Sequence, residues 1–110
     1  MTDAMIDESA LDELRQIMGD DFMLLVDTFI SDSQRRIDDL HQALAANSAE
    51  SLRAAAHSLK GSAMNFAATR LTQICQQLEQ CGRFQQMDNV AELLAQVHVE
   101  FSLLVAYLRP

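Results

Sequence analysis

The chain is 110 residues long, 49% hydrophobic and 22% charged, with 16 acidic against 8 basic side chains and a formal net charge of -8. That composition excludes disorder, and at this length one domain buries roughly two-thirds of its unfolded surface without metal or disulfide staples. The acidic balance argues against a nucleic-acid partner, which needs clustered Lys and Arg to displace counterions from phosphates.

From Asp7 to Met18, apolar Ala10, Leu11, Leu14, Ile17 and Met18 recur at helical spacing and stop at Gly19, which predicts a short leading helix. A second helix is predicted from about Asp20 to Ala46 through Phe22, Leu25, Val26, Phe29, Ile30, Ile37, Leu40 and Leu44. Asp20 and Asp21 suit its positive N-terminal end. Polar Ser33 and Gln34 interrupt the stripe, where the helix is expected either to bend or to change partner. Asn47 with Glu50 three residues on reads as a near capping box, opening a third helix from Ser48 to about Ala67.

A fourth helix is predicted from Thr69 to Cys81 through Leu71, Ile74, Cys75 and Leu78, stopped by Gly82 as a left-handed C-cap. The fifth starts near Asp88 and ends at Pro110, with Val90, Leu93, Leu94, Val97, Phe101, Leu104, Val105 and Leu108 in period. No strand pattern competes. The expected fold is all-α, an antiparallel up-and-down four-helix bundle with a short additional N-terminal helix capping one end. It forms a single domain over 1–110, with the bundle core at about 20–108. Cys75 and Cys81, six apart in one helix, point to different faces, so both are expected reduced. No segment approaches the ~20 uncharged apolar residues of a membrane span. The opening Met1, Thr2, Asp3 and Ala4 lack a signal peptide's basic flank, so a cytoplasmic protein without a membrane partner is expected.

One position looks chemical. On a helical wheel the third helix turns Leu52, Ala55, Ala56, Leu59, Ala63 and Phe66 toward the core, and His57 falls about 160 degrees from Leu59. Gly61 lies one turn further along, although glycine in mid-helix costs about 1 kcal/mol relative to alanine and no turn or cap needs it there. Its missing side chain leaves one side of the imidazole uncovered, which matters if a second body must approach that ring. Lys60 at i+3 adds a cation where a transferred anion would lie. An uncovered ring, a nearby cation and a gap suit a phosphoryl acceptor.

The segment His57-Ser58-Leu59-Lys60-Gly61-Ser62 resembles the His-x-Leu-Lys-Gly-Ser signature of histidine-containing phosphotransfer (HPt) domains of bacterial phosphorelays. Leu71, Cys75, Leu78, Glu79, Gly82 and Arg83 look like the family's next helix, and Phe29, Leu40 and Leu44 like the one before the site. The likeness covers about residues 7 to 108 and suggests a free-standing module. Ala67 departs from the pattern, since many members carry glycine there; the departure bears only on the local turn after the third helix, where Ala67 and Ala68 remain small.

The resemblance implies that His57 takes a phosphoryl group on Nε2 from a receiver domain's aspartyl phosphate and passes it to another receiver. One receiver would belong to a hybrid sensor kinase and the other to a response regulator. Lys60 would stabilise the phosphorylated form, and Ser62, Gln76 or Glu79 would orient the ring through Nδ1. The chain itself would need no cofactor, the partner receiver bringing Mg2+. Docking candidates are Met18, Phe22, Met23 and Met64, with Arg53 supplying local charge; methionine suits a surface that accepts more than one partner. A monomer is expected.

No Gly-rich phosphate loop or Walker lysine supports autonomous kinase activity. Asp38 and His41 at i,i+3 lack matching Glu-x-x-His pairs on other helices and read as solvated, and His98 as a flank residue of the last helix; no metal site is expected. The alternative to a phosphocarrier is a helical adaptor that binds receiver domains without phosphorylation.

Overall fold

Backbone hydrogen bonding decides where each helix begins and ends. The computed structural model describes residues 4–110, so Met1, Thr2 and Asp3, with the signal-peptide expectation placed on them, lie outside the described residues. Helix α1 spans Glu8–Met18, opened by the Asp7 carboxylate accepting from the Ala10 amide at 3.2 Å and closed at Gly19 with φ +53°. A single 3-10 turn, Gly19–Asp21, leads into α2, Phe22–Ala45, so Asp20 and Asp21 precede that helix rather than open it. Helices α3 (Ala49–Asn65), α4 (Thr69–Arg83) and α5 (Val90–Leu108) complete the order, and no strand occurs among the described residues.

The three turns between α2, α3, α4 and α5 share one device. Ser48 N–H reaches Ala43 O while Asn47 N–H reaches Leu44 O; Ala68 and Ala67 repeat this on Ala63 and Met64, and Gln86 and Gln85 on Cys81 and Gly82. Each is the paired backbone closure of a Schellman motif, which requires a left-handed residue after the helix. Asn47, Ala67 and Gln85 supply it at φ +51°, +56° and +55°. Two expectations are corrected by this. Asn47 is the left-handed end of α2, and the N-cap of α3 is Ser48, whose Oγ accepts from Ser51 N–H at 3.2 Å. Gly82 is not a C-cap, because α4 runs on to Arg83 and Gln85 takes the left-handed position.

At Ala67 the family's frequent glycine would hold the same turn without strain. A left-handed L-residue costs roughly 1–2 kcal/mol, partly offset by the greater freedom of glycine in the unfolded chain. Ala67→Gly is therefore expected to raise stability by about 0.5–1 kcal/mol, read as a higher urea midpoint at unchanged slope.

The helices close a ring in which α2 packs on α3, α3 on α4, α4 on α5 and α5 back on α2, so the α3/α4 and α2/α5 seams lie diagonally opposite. Val26, Leu40, Leu52, Leu59, Leu71, Leu78, Val90, Val97 and Leu104 fill the interior. Phe29 stacks on Phe66 at 4.4 Å and faces Phe101 at 6.4 Å, linking three sides of the core. Helix α1 buries Leu11 and covers one end. Asp7 N–H donates to Ala67 O, Thr69 Oγ1 to Ala4 O, Tyr107 OH to Glu8, and the Arg109 guanidinium to Asp27.

Four finer expectations meet the structure as follows. Ser33 does not break α2; it occupies a buried core position, its Oγ without a hydrogen-bond partner. Ile17, counted toward the leading stripe, is 78% exposed. Cys75 and Cys81 are both free and buried. Helix α5 is long and apolar enough to cross a membrane by length and composition, with a mean hydropathy of 1.4, although Glu92 and Glu100 interrupt any uncharged run. In the fold it is one of the four bundle helices, with Val90, Leu94, Val97 and Leu104 packed inside and Glu100 buried against Arg70.

Candidate functional site

Helix α3 turns its small and aliphatic face inward, so Leu52, Ala55, Ala56, Leu59 and Ala63 are buried and His57 is left 69% exposed. From α4, Glu79 reaches across the seam with only 11% of its side chain exposed. His57 Nδ1–H donates to Glu79 Oε2 at 2.9 Å, and Lys60 Nζ forms an ion pair with Glu79 Oε1 at 2.6 Å. One carboxylate thus joins residues i and i+3 of α3. Of the three candidates for orienting the ring, the structure brings only Glu79 to it. Gln76 is exposed without a hydrogen bond to the ring, and the Ser62 hydroxyl donates instead to Asp32 at 3.5 Å.

The electrostatics settle the tautomer. The Lys60 ammonium, hydrogen-bonded to Glu79, holds its carboxyl below the usual carboxylate range, with His57 adding to the effect against the opposing cost of burial. An ionised carboxylate only accepts, so the proton of the neutral ring lies on Nδ1 and the lone pair on Nε2, facing solvent. The thiol of Cys75, one turn before Glu79, is pushed up to about 12 by burial and offers no competing nucleophile.

Because the Glu79 carboxyl is lowered in the folded state, its contribution to stability is complete above the unfolded carboxylate value and is lost as pH falls through the folded one. Glu79→Gln is expected to lower stability by about 1 kcal/mol at neutral pH. Urea titrations from pH 7 to 3 should show the gap between wild type and variant narrowing below about pH 4.5; a gap independent of pH would count against the ion network.

Gly61 is open. A Cβ built there meets nothing within 4 Å, so no helix packs against it and the bare strip of α3 beside His57 faces solvent. Gly82 is the opposite case, since a Cβ there would lie 2.6 Å from Ala49 O and 2.7 Å from Arg53 Cβ. It is the point where α4 presses on α3, a role that only the packing reveals.

The cations are unevenly used. Of the eight Lys and Arg residues, Arg15, Arg35, Arg36, Lys60, Arg70 and Arg109 are ion-paired. Arg53 and Arg83, exposed and without an ion-pair partner among the described residues, both line the cleft beside His57, together with Glu50, Ser58 and Glu79. Arg83 enters the sequence reading only through the likeness of its helix, because its place beside His57 depends on how α4 is rotated against α3.

The docking candidates divide. Met23 and Met64 are 48% and 60% exposed. Phe22 is a core residue, buried with its ring 6.2 Å from Phe66 and the Arg15 guanidinium over its face, so it offers no docking surface. Met18 is half-buried against the core. Ile17 and Leu24, which the docking expectation did not include, are 78% and 67% exposed.

The bundle displays the His57 imidazole at its surface with its distal nitrogen bare and its proximal nitrogen held, so a second molecule can reach the ring. The chain belongs to the Hpt domain family, whose model matches residues 24–108. It is similar to the crystal structure of histidine-containing phosphotransfer protein B (HptB) from Pseudomonas aeruginosa PAO1, at 33% identity and a TM-score of 0.94 over 98% of this chain and 94% of that one. None of the curated proteins matches it. The chain is thus a histidine phosphotransfer shuttle of phosphorelays, a family whose members work with receiver domains of kinases and response regulators.

Proposed function

We propose that His57 is the phosphoacceptor and that Nε2 carries the phosphoryl group between the receiver domain of a hybrid sensor kinase and that of a response regulator. The observation carrying this reading is the Glu79 carboxylate shared between His57 Nδ1 and Lys60, which leaves Nε2 as the ring's free nucleophile. As the Nε2–P bond forms, the P–O bond of the aspartyl phosphate breaks and the aspartate leaves as a carboxylate. A ring that keeps its Nδ1 proton gains positive charge in that step, and Glu79 faces it. Phosphoryl transfer asks mainly for positioning and charge stabilisation. The chain supplies these without a cofactor or kinase activity of its own, while Mg2+ belongs to the receiver. We place the protein in the cytoplasm as a monomer.

Lys60 and the open strip at Gly61 admit the phosphoryl group, while Arg53 and Arg83 meet its oxygens or the acidic rim of the receiver. Met23 and Met64 offer apolar docking surface. Arg53→Ala and Arg83→Ala are each expected to raise the KM for a phosphorylated receiver several-fold and to flatten its salt dependence while the melting temperature stays near wild type. The reading as a whole is tested by incubating the protein with receiver domains charged with labelled phosphate. Label that is acid-labile and base-stable marks a phosphoramidate on histidine. Receiver binding with no label transferred would favour the adaptor instead.

A further inference from the structure

On the seam diagonal to His57, α2 and α5 bring two imidazoles together, with His41 Nε2 2.7 Å from His98 Nε2 and ring centroids 5.0 Å apart. Both residues are exposed. They are 57 positions apart in the chain, and only the packing of the last helix on α2 joins them. Two Nε2 atoms at this distance accommodate one proton between them, one ring donating and the other accepting. With that proton moved to the Nδ1 of its own ring, the two Nε2 lone pairs converge on a single point at the surface.

We infer that His41 and His98 form a binding site for a borderline divalent transition metal of the Zn2+ class, both Nε2 atoms becoming ligands as the proton between them moves to the Nδ1 of its own ring. Neutral imidazole nitrogens ligate such ions at about 2.0–2.1 Å, which in tetrahedral geometry sets the two nitrogens roughly 3.3 Å apart. A small turn of two exposed rings provides the difference. Hard cations such as Mg2+ and Ca2+ prefer oxygen ligands and are disfavoured. Among the described residues no group of three or more His, Cys, Asp or Glu gathers to hold an ion. Water completes the coordination, and the fold forms without the metal. Asp38, exposed and one turn before His41 on α2, is placed to hydrogen-bond a ligated water, and the net charge of -8 draws cations to the surface. A bound ion staples α2 to α5 and leaves the α3/α4 seam free.

The test titrates the whole protein with zinc chloride in a non-chelating buffer near neutral pH, following the melting temperature and the imidazole nitrogen resonances. The expected result is a saturable rise of several degrees, with the Nε2 signals of His41 and His98 moving together. His41→Gln and His98→Gln should each lose that rise while melting like the wild type without zinc, and His57→Gln should keep it. No rise up to millimolar zinc, a rise that survives either substitution, or one lost with His57→Gln would overturn the site. None of these outcomes depends on phosphotransfer, so the site stands or falls separately from the proposed role of His57.

Discussion

His57→Gln protein incubated with a phosphorylated receiver domain is expected to take up no acid-labile label, where wild type is labelled. The substitution removes the only nitrogen on this seam with a free lone pair, and no neighbour replaces it. Lys60 is paired with Glu79, and Cys75 is buried with its thiol pushed up to about 12. Folding should be almost untouched, because the side chain is 69% exposed and faces away from the core. Exposed substitutions of this kind usually fall within about 0.5 kcal/mol, and the amide oxygen or nitrogen of glutamine can still meet the Lys60–Glu79 pair. Binding to the receiver should persist within a few-fold, since docking rests on the surrounding apolar and basic surface. Retained labelling would move the acceptor elsewhere; a collapsed melting curve would mean that the imidazole supports the core.

The parts of this site that could be read from the sequence are those held within one helix. His57, Lys60 and Gly61 stand at i, i+3 and i+4, so a helical wheel alone places them on one outward face of α3. Glu79 could be named only as one of three candidates for orienting the ring, because the choice depends on how α4 is rotated against α3. Arg83 and the His41–His98 pair depend on packing between helices in the same way. The four-helix order was legible because an apolar stripe recurs in every helix, sharply in α4 and least so in the broadly apolar α5, whereas the ends of the helices were not. The left-handed closures fall on Asn47, Ala67 and Gln85, none of them glycine, while Gly82 looked like a cap and proves to be a contact.

The two helical glycines of the site are expected to respond to alanine with opposite signs. At Gly61 the new methyl meets nothing within 4 Å, so the gain in helix propensity should stabilise the protein by up to about 1 kcal/mol. The same methyl stands one turn from His57 on the side a receiver must approach, so phosphotransfer should slow, and more steeply for Gly61→Gln. At Gly82 the methyl would overlap the Ala49 carbonyl oxygen, the Arg53 amide nitrogen at 2.8 Å and the Arg53 Cβ. Two of these atoms are backbone and cannot swing aside. The α3/α4 seam must open, at a cost of roughly 1–3 kcal/mol typical of overpacking, and propensity offsets only part of it. Glu79 lies one turn before Gly82 on α4, so the same displacement draws the carboxylate away from His57 and Lys60. Gly82→Ala should therefore lose both stability and transfer rate, while Gly61→Ala gains the first and loses the second. Urea midpoints measured beside single-turnover transfer rates separate the two cases. If Gly82→Ala kept wild-type stability, the seam would be more pliable than its backbone contacts imply, and Glu79 would then hold His57 through side-chain reach alone.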